Sequence, residues 1–191
     1  ADFNYQHTDP FLLLDYGQQT TFAPNPNLEN EPHSIGQHPH KGFETVTIAY
    51  AGEISHADSV GGCGIIKEGD VQWMTAGKGI LHSETPEQVA GLMHGFQLWI
   101  NLPAKNKLAK PTYQEVPSAQ IPVLSSAEGH QVKVIAGDWL ETTGPLHRPD
   151  TEPLYLDLQL QNDTPLFVSI PAGHNAFVYV VQGQPLVAEQ T

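Results

Sequence analysis

Hydrophobic residues along this chain recur with the period of a strand and almost nowhere with that of a helix. Val46, Ile48 and Tyr50 alternate with Thr45, Thr47 and Ala49, which predicts a strand beginning at Gly42 and closed by Gly52. Ile54 to Asp58 reads as its hairpin partner, followed by a turn at Gly61, Gly62 and Gly64. Asp70 to Thr75, Ile80 to Glu84 and Leu92 to Leu102 are further predicted strands, the first two separated by Gly77 and Gly79. Phe11 to Asp15 predicts a short strand, and the Pro- and Asn-rich stretch from Phe22 to Gly36 a loop. In the second half, Val132 to Ala136 and Phe177 to Val181 are extended. Leu154, Leu156, Leu158 and Leu160 alternate with Tyr155, Asp157 and Gln159, the cleanest half-buried strand pattern in the sequence. No long helix is predicted.

The polar, Pro-bounded stretch around Lys105 to Gln120 reads as a linker or short helix. It divides the chain into a first β unit at 1–104, a linker at 105–122 and a second β unit at 123–191. A shift that lays Gly183 on Gly52 also lays Gly173 on Gly42, and Phe177, Tyr179 and Val181 on Val46, Ile48 and Tyr50. This spacing suggests a duplicated barrel. The counterpart of Gly69-Asp70 would fall past Thr191, so the second barrel is expected to be incomplete. The 17 Gly and 16 Pro fit a fold with many short turns.

Composition narrows the function. Twenty-one acidic against 8 basic residues give a net charge of −13, which argues against nucleic acid and anionic membranes as partners. No apolar run approaches the roughly 20 residues of a membrane-spanning helix, and Ala1 to Pro10 lacks a signal-peptide pattern. The expected compartment is the cytoplasm. One cysteine, Cys63, excludes an internal disulfide framework and reads as an inert thiol in a turn.

Ten histidines stand out against so few cations. His38-Pro39-His40 places two imidazoles two residues apart, on one face of an extended strand. With regular alternation, Glu44, Val46, Ile48 and Tyr50 would share that face and line an interior, with the histidines at its mouth. His82 and Glu84 repeat the spacing on another extended segment. Three neutral imidazoles and a carboxylate suit a divalent transition metal, with iron, copper, nickel and zinc all compatible with imidazole. Such a set leaves octahedral positions open for water, substrate or O₂, whereas a closed structural zinc site more often uses thiolates. The competing reading of any single H-x-H is a strand with exposed imidazoles.

The run His38-Pro39-His40-Lys41-Gly42-Phe43-Glu44-Thr45-Val46 resembles the first cupin motif, an H-x-H followed, after three intervening residues, by Glu. Gly69-Asp70-Val71-Gln72-Trp73-Met74-Thr75-Ala76-Gly77-Lys78-Gly79-Ile80-Leu81-His82-Ser83-Glu84 resembles the second motif as pirins write it. Thr75 replaces the usual cupin Pro, and His82 comes late. Gly95-Phe96-Gln97-Leu98-Trp99-Ile100-Asn101-Leu102-Pro103 also matches the pirin pattern. The resemblance runs from about Asp9 to the end and is densest over 38–102. It implies an all-β bicupin of two cupin β-barrels, the C-terminal one incomplete. It also implies one metal in the N-terminal barrel, held by His38, His40, His82 and Glu84. The implied metal is Fe(II), with Ni, Cu, Mn and Zn as alternatives. The second barrel is expected to be metal-free, and the repeat agrees, since His38 and His40 fall on Ser169 and Pro171.

The resemblance implies two functions. One is a dioxygenase acting on flavonols such as quercetin with O₂, in which Glu84 is both ligand and general base. The other is an iron-binding regulator that modulates transcription or metabolic enzymes through protein contacts, where the acidic charge would suit a basic partner. Among the remaining residues, Glu44 reads as a hydrogen-bonding group near the ligands and His94 as a satisfied core or pocket histidine. His33, His56, His130, His147 and His174 read as loop or surface residues. Trp73 and Trp99 read as core, one of them lining the pocket, and Lys41 and Lys78 as exposed charges near the mouth.

Overall fold

The computed structural model describes residues 4–23, 34–86 and 91–188. The fold is all β. Beyond one helical turn, Tyr5–Thr8, the long elements are strands: β1 (Phe11–Phe22), β2 (Ile35–His40), β3 (Phe43–Ala51), β4 (Ile54–Asp58), β5 (Cys63–Ile66), β6 (Val71–Thr75), β7 (Ile80–Pro86) and β8 (Gly91–Asn101). They are followed by β9 (Thr112–Val116), β10 (Val123–Ser125), β11 (Gln131–Ala136), the two-residue β12 (Asp138–Trp139) and β13 (Thr142–Thr143), and β14 (Tyr155–Gln159). A five-stranded sheet, β1-β8-β3-β6-β9, faces a four-stranded sheet, β2-β7-β4-β5. A three-stranded sheet, β10-β11-β14, starts the second half. No helix among the described residues is long and apolar enough to cross a membrane.

Gly42 decides which residues reach the interior. Its φ of +79° is a conformation that glycine adopts without strain, and it turns the chain from the four-stranded sheet into the five-stranded one. The alternation therefore does not run through from His40. The expectation that Glu44, Val46, Ile48 and Tyr50 share the histidine face is overturned. Val46 and Ile48 are buried with Trp73, Phe96, Leu98, Ile135 and Leu146, and Tyr50 packs against them, on the far side of the sheet. Phe43 and Thr47 look the other way: the Phe43 ring meets His40 at 5.1 Å, and the Thr47 hydroxyl meets Gln97 at 3.1 Å.

Three further differences have local causes. The predicted Phe11–Asp15 strand extends to Phe22, because β8 supplies a partner along its whole length. The stretch 105–122 is more than a connection: between two short 3₁₀ turns it carries β9, which pairs with β6 and edges the first sheet. Its alternation is masked in the sequence because polar residues stand on both faces, Gln114 on one and Glu115 on the other. Residues 177–181 form no strand, and none follows β14 among the described residues. Phe177 and Tyr179 do face one way, with ring contacts to Phe11 at 4.8 Å and Tyr16 at 5.1 Å, while Val178 is 62% exposed. The face pattern holds without the ladder, since a strand needs a neighbour for its backbone bonds.

Candidate metal centre

The strands that form the four-stranded sheet set the centre. β2 and β7 run antiparallel with His38 directly opposite His82, and His40 lies two residues along the same face. The three imidazoles converge, with one ring nitrogen of each lying within 4.8 Å of the others. His40 and His82 are buried, while His38 is half-buried at the edge.

Their hydrogen bonding suits a cation. The Gly36 carbonyl can only accept, so the 2.8 Å contact fixes the proton of His38 on Nδ1 and leaves Nε2 as a lone pair. That lone pair lies 3.1 Å from His40 Nε2. His40 Nδ1 and both nitrogens of His82 are buried without a partner among the described residues. Burial and then the neighbouring His38 lower the His40 pKa to about 4. Burial, followed by His40 and His38, lowers that of His82 to about 3. Both rings are therefore neutral near pH 7, the form that binds a metal. Buried nitrogens without partners are costly unless something satisfies them, and one nitrogen of each ring lies close to the others. The donor set present thus fits a divalent transition metal.

Glu84 sits two residues beyond His82 on the same buried face of β7. It stands outside the 4.8 Å group, and Gln97 Nε2 donates to its two oxygens at 3.0 and 3.2 Å. Burial raises the Glu84 pKa, and the Gln97 hydrogen bond acts against that rise. Phe43 and Trp99, stacked at 4.6 Å, form an aromatic wall against His40.

The other sequence-level candidates fall into place around this centre. Glu44 is buried on the opposite face of the first sheet. There it accepts from the Thr75 hydroxyl and lies 3.5 Å from Arg148 Nε, so it is not among the residues at the histidines. Trp73 is fully buried under the Arg148 guanidinium, and Trp99 lies edge-on to His40 beside the histidine cluster. His94 is half-buried against the Tyr16 hydroxyl at 2.8 Å. His147 and His174 are exposed, as are Lys41, Lys78 and Cys63, while His33 lies outside the described residues.

Two histidines correct the surface reading. His130 is fully buried, bonded to the Thr164 carbonyl and the Gln161 amide. His56 is buried on β4 opposite Glu84 and lies 2.7 Å from Glu115. The signal for His56 was present in the hairpin pattern, since it shares parity with the buried Ile54. Gln97 was also missed as a member of this interior, and Glu115, itself exposed, as the partner of His56 at its edge.

The pirin family model matches residues 2–100. The chain belongs to the pirin family. Among relatives of this pirin, a Pseudomonas aeruginosa protein whose name offers quercetin 2,3-dioxygenase as a proposed activity is 48% identical over 179 residues, covering 92% of this chain and 61% of its own length. A pirin-like protein of Arabidopsis thaliana is 44% identical, with 95% of this chain and 56% of the relative covered. A solved structure of quercetin 2,3-dioxygenase from Acinetobacter baumannii superposes with a TM-score of 0.69 at 44% identity. It covers 75% of this pirin and 52% of the solved chain. This pirin thus spans only about 52 to 61% of the length of these proteins.

Proposed function

We propose that this chain carries the metal-binding barrel of a pirin-type dioxygenase, with His38, His40, His82 and Glu84 as ligands and Fe(II) as the ion. The observation that carries this reading is the convergence of three imidazoles, two of them neutral and buried with nitrogens that have no partner among the described residues, beside a carboxylate on the same face. The names borne by the Pseudomonas relative and the Acinetobacter structure point to quercetin as the substrate class. Held by His38, His40, His82 and Glu84, the ion would supply the Lewis-acid and one-electron chemistry that the reaction of a flavonol with O₂ needs.

The chain's own residues do the remaining work. A carboxylate oxygen of Glu84 takes the proton of the flavonol 3-hydroxyl, a base placed beside the ligands rather than in bulk water. Phe43 and Trp99 present aromatic surface against His40 for a flat ring system. Burial of His40 and His82 excludes water from the ligand nitrogens.

Anaerobic loading with Fe(II), followed by O₂ uptake in the presence of quercetin, tests the proposal. Metal-dependent uptake with loss of the flavonol absorbance, abolished in His40→Ala and Glu84→Ala, is the expected result. Stoichiometric iron binding without O₂ uptake would overturn quercetin as substrate and favour the iron-binding regulator instead.

A further inference from the structure

Gln97 is an amide whose two ends are chemically distinct, and its surroundings dictate which way it points. The indole Nε1 of Trp99 can only donate, and it lies 2.9 Å from Gln97 Oε1. The carbonyl end therefore faces Trp99. The NH₂ end is turned to Thr47 Oγ1 at 3.1 Å and to both oxygens of Glu84. An inverted amide would set a carbonyl oxygen against the carboxylate and an NH₂ against the indole N–H, two repulsive contacts in place of the attractive ones.

The indole is itself held. Trp99 stacks on Phe43 and sits edge-on to His40, with ring centroids 5.0 Å apart in the second contact. Gln97 and Trp99 are two residues apart on β8 and share its inward face. Thr47, opposite Gln97 on β3, completes the cradle.

We infer that Trp99 and Gln97 are positioning residues for Glu84: the indole N–H orients the Gln97 amide, and the amide orients the carboxylate. The amide bonds both oxygens and leaves each a further lone pair, so it fixes the direction in which the Glu84 carboxylate is offered to the centre. A single rigid ring then references both His40, by contact, and Glu84, through Gln97. This inference rests on the metal-centre reading above, which names Glu84 as a ligand.

Cobalt(II) titration of the full chain tests it, with affinity and the visible ligand-field spectrum as readouts and urea denaturation of the metal-free protein as a control on folding. Trp99→Phe keeps the ring and loses only the donor, and Gln97→Met keeps the length and loses the amide. Each is expected to weaken Co(II) binding by about 10- to 100-fold, the usual effect of losing a hydrogen-bond partner of a ligand, and to alter the spectrum. If Trp99 acts through Gln97, the double variant binds no more weakly than Gln97→Met alone. Wild-type affinity and spectrum in Trp99→Phe, or additive losses in the double variant, would overturn the inference. His40→Ala separates the two levels. If it binds Co(II) as the wild type does, or if the wild type binds none, the metal-centre reading itself fails and the positioning role falls with it. If it loses Co(II) while Trp99→Phe does not, only the positioning role fails.

Discussion

A carboxylate's position in a motif does not fix what it touches, and Glu44 shows why. It follows His40 by four residues, yet its side chain lies on the opposite face of the first sheet, against Thr75 and Arg148. Glu44→Gln is therefore expected to leave Co(II) affinity unchanged. Stability should fall, because Arg148 loses its counter-charge in a partly dry site. A fully buried pair broken on one side costs about 3–5 kcal/mol, and the 21% exposure of the Arg148 side chain reduces this to about 1–3 kcal/mol. Urea denaturation and metal titration of the same variant check both halves. Loss of metal with wild-type stability would show that Glu44 belongs to the centre after all.

The strands were legible where their two faces differ in polarity: around Val46 both faces are buried, the apolar one in the core and the threonines Thr45 and Thr47 on the other side. Three features escaped because their cause is not local. β9 hides its period behind polar residues on both faces; His56 is buried because its side of β4 meets Tyr113 and Glu115 of β9; and residues 177–181 keep a strand's parity outside any strand. The clustered histidines were legible because their spacing and the strand geometry are the same fact, whereas Gln97 meets Glu84 only where β8 and β7 come together across the interior. Turns carry a parallel lesson. Gly77, between β6 and β7, has a φ of +51°, and a Cβ there would lie 2.1 Å from the carbonyl oxygen of Ala109. That oxygen already accepts from the Lys78 amide, so the backbone cannot simply withdraw. Gly77→Ala should therefore cost more than the roughly 1 kcal/mol of an unfavourable φ alone, and it should weaken Co(II) binding by displacing β7. A urea midpoint equal to wild type would contradict the close approach.

At the scale of the molecule, the first sheet does two jobs with its two faces. Its inner face carries Thr47, Gln97 and Trp99 to the metal centre, and its outer face joins Val46, Ile48, Trp73 and Leu98 to Ile121, Ile135 and Leu146 of the following segments. The junction also holds ionisable groups that resist charging. Tyr50 is raised in pKa by burial and then by Asp157 and Tyr16, and Tyr155 is raised well above the ordinary value by burial, Tyr50 and Asp157. The sign follows directly. An unfolded tyrosine loses its proton near pH 10, while these two keep theirs in the folded state to higher pH. Above that point the folded state binds more protons than the unfolded one, so stability is fully present below about pH 10 and declines as pH rises further. Tyr50→Phe removes one of the two groups and relieves the other of a neighbour's charge. The urea midpoint of the wild type should therefore fall more steeply above about pH 10 than that of the variant, and parallel curves would show that the junction does not govern alkaline unfolding.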